Sequence, residues 1–165
     1  MRILGVDPGT IHLGYGIVEF DHDILTTIIY GAIECRGRLP LPERLCHLYK
    51  ELEKVIDVYR PDVMAIEAPF FGDNAKSALA IGKAQAVAIL AAAQRHLPIF
   101  EYSPAMVKRH VADYGASSKE QVQEMVKLLL GLDEIPQPCD AADALALAIC
   151  HSREARLKEI VAEGR

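Results

Sequence analysis

Arg2-Ile3-Leu4-Gly5-Val6-Asp7-Pro8-Gly9 is an apolar run that ends in a turn, and its reading decides the fold. Side chains alternate along a strand, so Asp7 shares a face with Ile3 and Gly5 and sits at the strand's carboxyl end. Pro8-Gly9 stops the strand. Working outward, Leu13–Phe20 and Ile24–Glu34 are apolar, β-branched runs separated by Asp21-His22-Asp23, the pattern of a hairpin or meander. Leu39-Pro40-Leu41-Pro42 interrupts it, and Leu45, Leu48, Leu52, Val55, Ile56 and Tyr59 then recur at helical spacing. Val63–Glu67 reads as a second short buried strand, with Glu67 at its end on the face of Val63 and Ala65. Asn74 to about His96 is Ala-rich and apolar almost all round, predicting a helix buried on several sides or shared with another chain. Ile99–Tyr102 predicts a third parallel strand, and Ala105–Tyr114 a helix. Ser117 or Ser118 caps the next helix, with Gln121 completing a capping box after Ser118. Asp140 opens the last helix, and the final dozen charged residues are expected to fray. The expected fold is α/β: a mixed sheet, three antiparallel strands followed by parallel ones, with helices on both faces.

The chain has 165 residues, 51% hydrophobic and 25% charged, with 18 Lys+Arg against 23 Asp+Glu and a net charge of −5. That predicts one globular domain over residues 1–165 and excludes a polybasic coat for DNA or membranes. The longest apolar run, Ala86 to Ala93, is far short of the roughly 20 residues of a membrane-spanning helix. The start reaches Asp7-Pro8-Gly9 too early for a signal peptide's apolar core. Cys35, Cys46, Cys139 and Cys150 form no C-x-x-C pair. A reduced, cytoplasmic protein without a zinc site is the expectation.

Four carboxylates carry the chemistry. Asp7 and Glu67 end strands, where ligands gather in α/β sheets. Asp140 and Asp143 lie three apart on one helix face. Taken singly, each has an ordinary reading: a turn, a solvated strand end, a capping pair. Together, four acids need a counter-charge, and Mg2+ takes carboxylate oxygens while keeping several waters. Lys108 and Lys119 add point charges suited to phosphate. Phe70 and Phe71, in the loop after Glu67, suit stacking on or wedging between bases. Lys76 and Lys83, two turns apart on the next helix, are candidates for the same groove.

Gly5-Val6-Asp7-Pro8-Gly9 with Gly14-Tyr15-Gly16, Ala65-Ile66-Glu67 with Phe70 and Asn74, Tyr102-Ser103-Pro104 with Val107-Lys108, Lys119-x-Gln121-Val122 with Met125-Val126, and Asp140-Ala141-Ala142-Asp143-Ala144-Leu145-Ala146 together resemble the RuvC family of crossover-junction endodeoxyribonucleases, the Holliday junction resolvases. The resemblance runs in order over nearly the whole chain. It implies an RNase H-like fold with a five-stranded mixed sheet, and a homodimer that cuts four-way DNA junctions with paired symmetric nicks. By position, Asp7, Glu67 and Asp140 match the catalytic acids and Asp143 the fourth acidic position. Lys108 and Lys119 match the basic residues at the scissile phosphate, and Phe70 the aromatic that engages bases. The implied chemistry is two-metal hydrolysis with two Mg2+ per subunit, Mn2+ being a substitute, giving 5′-phosphate and 3′-hydroxyl ends. Asp7 bridges the ions, with Glu67 on one and Asp140 and Asp143 on the other. A partnership with the RuvA–RuvB branch-migration motor is implied as well. Val111-Ala112-Asp113-Tyr114-Gly115 departs from the family pattern, having lost a glycine and gained Asp113.

Three other readings compete. Asp7-Pro8-Gly9-Thr10 also resembles the first phosphate loop of actin-like phosphotransferases, which need a second lobe. A non-catalytic junction binder gains phosphate affinity by losing its acids, and this chain keeps four. A relative acting on RNA is the third.

Overall fold

The computed structural model describes residues 1–35, 39–68 and 75–163. β1 (Arg2–Asp7), β2 (His12–Asp21) and β3 (Ile24–Glu34) form the antiparallel meander that the turn residues predict. α1 (Leu41–Tyr59), β4 (Val63–Glu67), α2 (Ala75–Ala93) and β5 (Ile99–Tyr102) follow, then α3 (Pro104–Ala112), α4 (Lys119–Leu129) and α5 (Cys139–Glu163). The sheet order is β3-β2-β1-β4-β5. β1 runs antiparallel to β2 and parallel to β4, which is parallel to β5. Asp7 and Glu67 therefore end adjacent central strands pointing the same way.

Strand alternation sorts the core into two layers. Leu4, Val6, Leu13, Ile17, Met64 and Ile66 pack under α1 and α2. Ile3, Val18, Val63, Ala65 and Tyr102 pack under α3, α4 and α5. Asp7 continues the face of Ile3, and Glu67 that of Val63 and Ala65, so both acids belong to the α5 side.

The element ends follow local chemistry. α1 begins at Leu41, inside the Pro-rich stretch expected to be a break, because proline is tolerated in a helix's first turn. α3 stops at Ala112, two residues before the expected end, where Asp113 caps it in the left-handed conformation at φ 57°. That is a glycine's usual place, and aspartate is among the residues that tolerate it. The Asp113 carboxylate lies 3.5 Å from Arg153. Ser118, not Ser117, caps α4, and the full capping box with Gln121 is present. α5 is helical through Glu163, over most of the dozen residues expected to fray. Its first half is locked into the core, so extension needs no new nucleus. Arg156 also ties it to Asp23 at 2.9 Å. Among the described residues, no helix is long and apolar enough to cross a membrane.

Candidate active site

A glycine notch sets the site. On the α5 side, β1 and β2 present Gly5, Gly14 and Gly16, and the helix backbone lies directly on them. A β-carbon on Gly5 would fall 1.8 Å from the Ala144 carbonyl oxygen. One on Gly14 would fall 2.0 Å from the Asp140 carbonyl oxygen, and one on Gly16 2.7 Å from the Leu145 side chain. Only hydrogens fit in those gaps. The contact places the first turn of α5, with Asp140 and Asp143, over the end of β1.

An open cleft of about 290 Å³ results, lined by Asp7, Glu67, Asp143, Lys108 and Lys119 with an apolar wall that includes Val107, Val122 and Leu147. Five of the side chains singled out in the sequence thus meet. Asp140 is not in that lining: it sits toward Gly14, while Asp143, nearly one turn on, faces the cleft. Lys83 is exposed on α2, which packs against the opposite face of the sheet, so it does not line the cleft either. Phe70, Phe71 and Asn74 lie outside the described residues, and of Lys76 only the helical backbone is described. Of the apolar wall, Val107 and Val122 fall within the motifs that carry the family resemblance, whereas Leu147 reads as ordinary core.

The electrostatics are those of an excess of negative charge. Burial, then Asp143, Glu67 and Asp140, raise the Asp7 carboxyl from its ordinary 3.8 to about 7, against the opposing pull of Lys119. Glu67 is raised by burial and by Asp143. Lys119 donates to Asp143 Oδ2 at 2.5 Å. Burial alone would lower the Lys119 ammonium, but its hydrogen bond to Asp143, with the charges of Asp143, Cys139 and Asp7, holds it above its ordinary value. Among the described residues, no three acidic, histidine or cysteine side chains are already drawn together as metal ligands. The donors are nonetheless all carboxylate oxygens, and Lys119 offsets only part of their mutual repulsion. Both properties fit a hard divalent cation.

A mixed sheet whose two central strands end in acids, crossed by a carboxylate-bearing helix, defines an RNase H-like nuclease. The family model for the crossover junction endodeoxyribonuclease RuvC matches residues 3–151. A crossover junction endodeoxyribonuclease RuvC of Dehalococcoides mccartyi is 56% identical over 164 residues, 99% of this chain and 98% of that protein. Thermus thermophilus RuvC, solved in complex with a Holliday junction substrate, is 33% identical with a TM-score of 0.90 over 96% of each chain. The yeast mitochondrial Holliday junction resolvase Ydc2 shares the fold, with a TM-score of 0.66 at 16% identity over 95% of this chain and 82% of its own. This chain belongs to the RuvC family.

Proposed function

We propose that this protein resolves four-way DNA junctions by metal-dependent hydrolysis of phosphodiesters, cutting paired strands. The observation that carries the reading is the convergence of Asp7, Glu67 and Asp143 with Lys108 and Lys119 in one cleft. Asp7, Glu67 and Asp143, with Asp140 from the β2 side, would hold Mg2+, or Mn2+ in its place, two ions per subunit. Divalent cations so held supply an activated water and positive charge at the phosphate. The protein's own work is positional. Gly5 and Gly14 fix the acids of α5 against Asp7. Lys119, which donates to Asp143 Oδ2, would be free to face the phosphate once Asp143 is otherwise engaged. Lys108, from α3, brings a second positive charge to the same cleft and favours the backbone of a bound strand. Phe70 and Phe71 are assigned to the bases, Asn74 and Lys76 to the DNA arms.

The substrate's two-fold symmetry calls for a two-fold protein, since an isologous dimer puts one site on each of two equivalent strands. α2 supplies the surface. Leu79 and Leu90 are 62% and 51% exposed, and with Ala86 they form one stripe of the helix. We assign that stripe to a second copy of the chain. A cytoplasmic location and a partnership with RuvA and RuvB complete the reading.

Setting aside the four acids as metal ligands leaves the chain nearly neutral, so the DNA is held by a local groove and by junction shape. The expected result at physiological salt is a dissociation constant at least about tenfold lower for a four-way junction than for duplex. Equal affinity for the two contradicts the reading. Sedimentation should give a dimer, converted to monomer by Leu79→Glu with Leu90→Glu. A wild-type monomer at concentrations where the junction is cut overturns the dimer.

A further inference from the structure

One buried polar side chain has no place in the chemistry above. Gln85 lies on α2 among Ala84, Ala88 and Ala91 and is only 4% exposed. A buried amide is costly unless its hydrogen bonds are made. Its Nε2 donates to the backbone carbonyl of Glu67 at 3.0 Å and lies 3.5 Å from Glu101 Oε2.

The reason that carbonyl is available lies one strand away. The Met64 N–H donates to the Pro98 carbonyl, just before β5, and the Ala68 N–H to the Tyr102 carbonyl at its end, so these residues of the β4 segment turn their polar groups toward β5. In a parallel ladder the direction alternates, which turns the polar groups of Ala65 and Glu67 toward β1. The register pairs Ala65 with Gly5. Two residues on, the donor due to the Glu67 carbonyl is the N–H of position 8. That residue is Pro8, which has none. The β1–β4 pairing accordingly ends at Val6 and Ile66.

We infer that Gln85 is a positioning residue for Glu67, supplying from α2 the hydrogen bond that Pro8 withholds at the end of the ladder. The inference rests on the nuclease reading, in which Glu67 is a metal ligand. Pro8 makes the turn that follows Asp7, and it leaves the neighbouring acid's peptide untethered on that side. Gln85 fixes the plane of that peptide and with it the direction in which the Glu67 carboxylate leaves β4. It also makes α2 part of the active-site frame, from the far side of the sheet.

Gln85→Met keeps the length of the side chain and removes the donor. The expected result is that junction binding without metal stays at the wild-type value while kcat falls about tenfold or more. The Mg2+ concentration giving half of the metal's thermal stabilisation, read by melting without DNA, should rise about tenfold. Adding Pro8→Ala returns an N–H to position 8 and should restore most of that midpoint. A Gln85→Met protein with wild-type kcat and Mg2+ midpoint overturns the inference. So does one that loses melting temperature with an unchanged midpoint, which marks Gln85 as packing only. If Gln85→Met does not fold, recovery by Pro8→Ala supports the inference and failure to recover overturns it. Wild-type protein that leaves the junction uncut contradicts the nuclease reading instead, and the Mg2+ midpoints still judge Gln85.

Discussion

Asp7→Asn should abolish junction cleavage while leaving junction binding intact. Asp7 stands where the charges of Glu67, Asp140 and Asp143 are all felt. Removing its charge takes away one of the four proposed metal ligands. A loss of at least about 10²–10³-fold in kcat is the scale for one preorganised electrostatic group, with binding changed little because the proposed phosphate contacts are those of Lys108 and Lys119. The same substitution should raise the melting temperature in EDTA. The sign follows from linkage: a carboxyl whose folded pKa is raised to about 7 holds its proton more tightly folded than unfolded. Stability is then lost as pH climbs from the ordinary carboxylate range through about 7. Above that range, the neutral amide of the variant removes a charge that only costs stability. A rise of a few degrees is expected, since ~1 kcal/mol is worth about 2–4 °C in a chain of this size. Millimolar Mg2+ should stabilise the wild type more than the variant. Cleavage by Asp7→Asn at near wild-type rate removes Asp7 from the chemistry.

Gly5→Ala should be as damaging without touching a functional group. Its added carbon would lie 1.8 Å from the Ala144 carbonyl oxygen and 3.0 Å from the Ala148 nitrogen. Both are backbone atoms of a buried helix, so the helix must move rather than a side chain yield. Overpacking of this kind costs about 1–3 kcal/mol, and more where the backbone cannot shift. Because α5 carries Asp140 and Asp143, a displacement on the order of 1 Å should also lower cleavage about 10²-fold in whatever protein still folds. Gly82→Ala is the control. A β-carbon there meets nothing of its own chain within 4 Å on a helix, so the stability of the single subunit should rise by about 0.5–1 kcal/mol. Wild-type melting and cleavage in Gly5→Ala would show that the notch does not set the site.

The strands and the acids at their ends are legible because they depend on local rules. Alternation puts Asp7 with Ile3 and Glu67 with Val63, and turn residues mark where each strand stops. The α4 capping box is legible for the same reason. What the sequence does not reveal depends on contacts between distant segments. Gly5 and Gly14 read as permissive residues in strands, and their meaning appears only when the backbone of α5 lies on them. The division of labour between Asp140 and Asp143 is hidden because both share a helix face in the 3.6-residue period. Close approach to Gly14 turns one toward β2 and leaves the other facing Lys119. Spacing groups Lys83 with a groove whose described lining does not include it, because helical period gives the face of a helix but not which side of the sheet receives it. The link from Pro8 to Gln85 spans 77 positions of the chain and has no periodic signature at all.

Mapping the cuts made by the wild-type protein with Mg2+ on a synthetic four-way junction, each strand end-labelled in turn, tests the central claim most directly. Paired nicks at symmetric positions on two opposing strands, with 5′-phosphate and 3′-hydroxyl ends that a ligase reseals, are the predicted result. Cuts on one strand alone, equal cutting of linear duplex, or cleavage that persists in EDTA would contradict it.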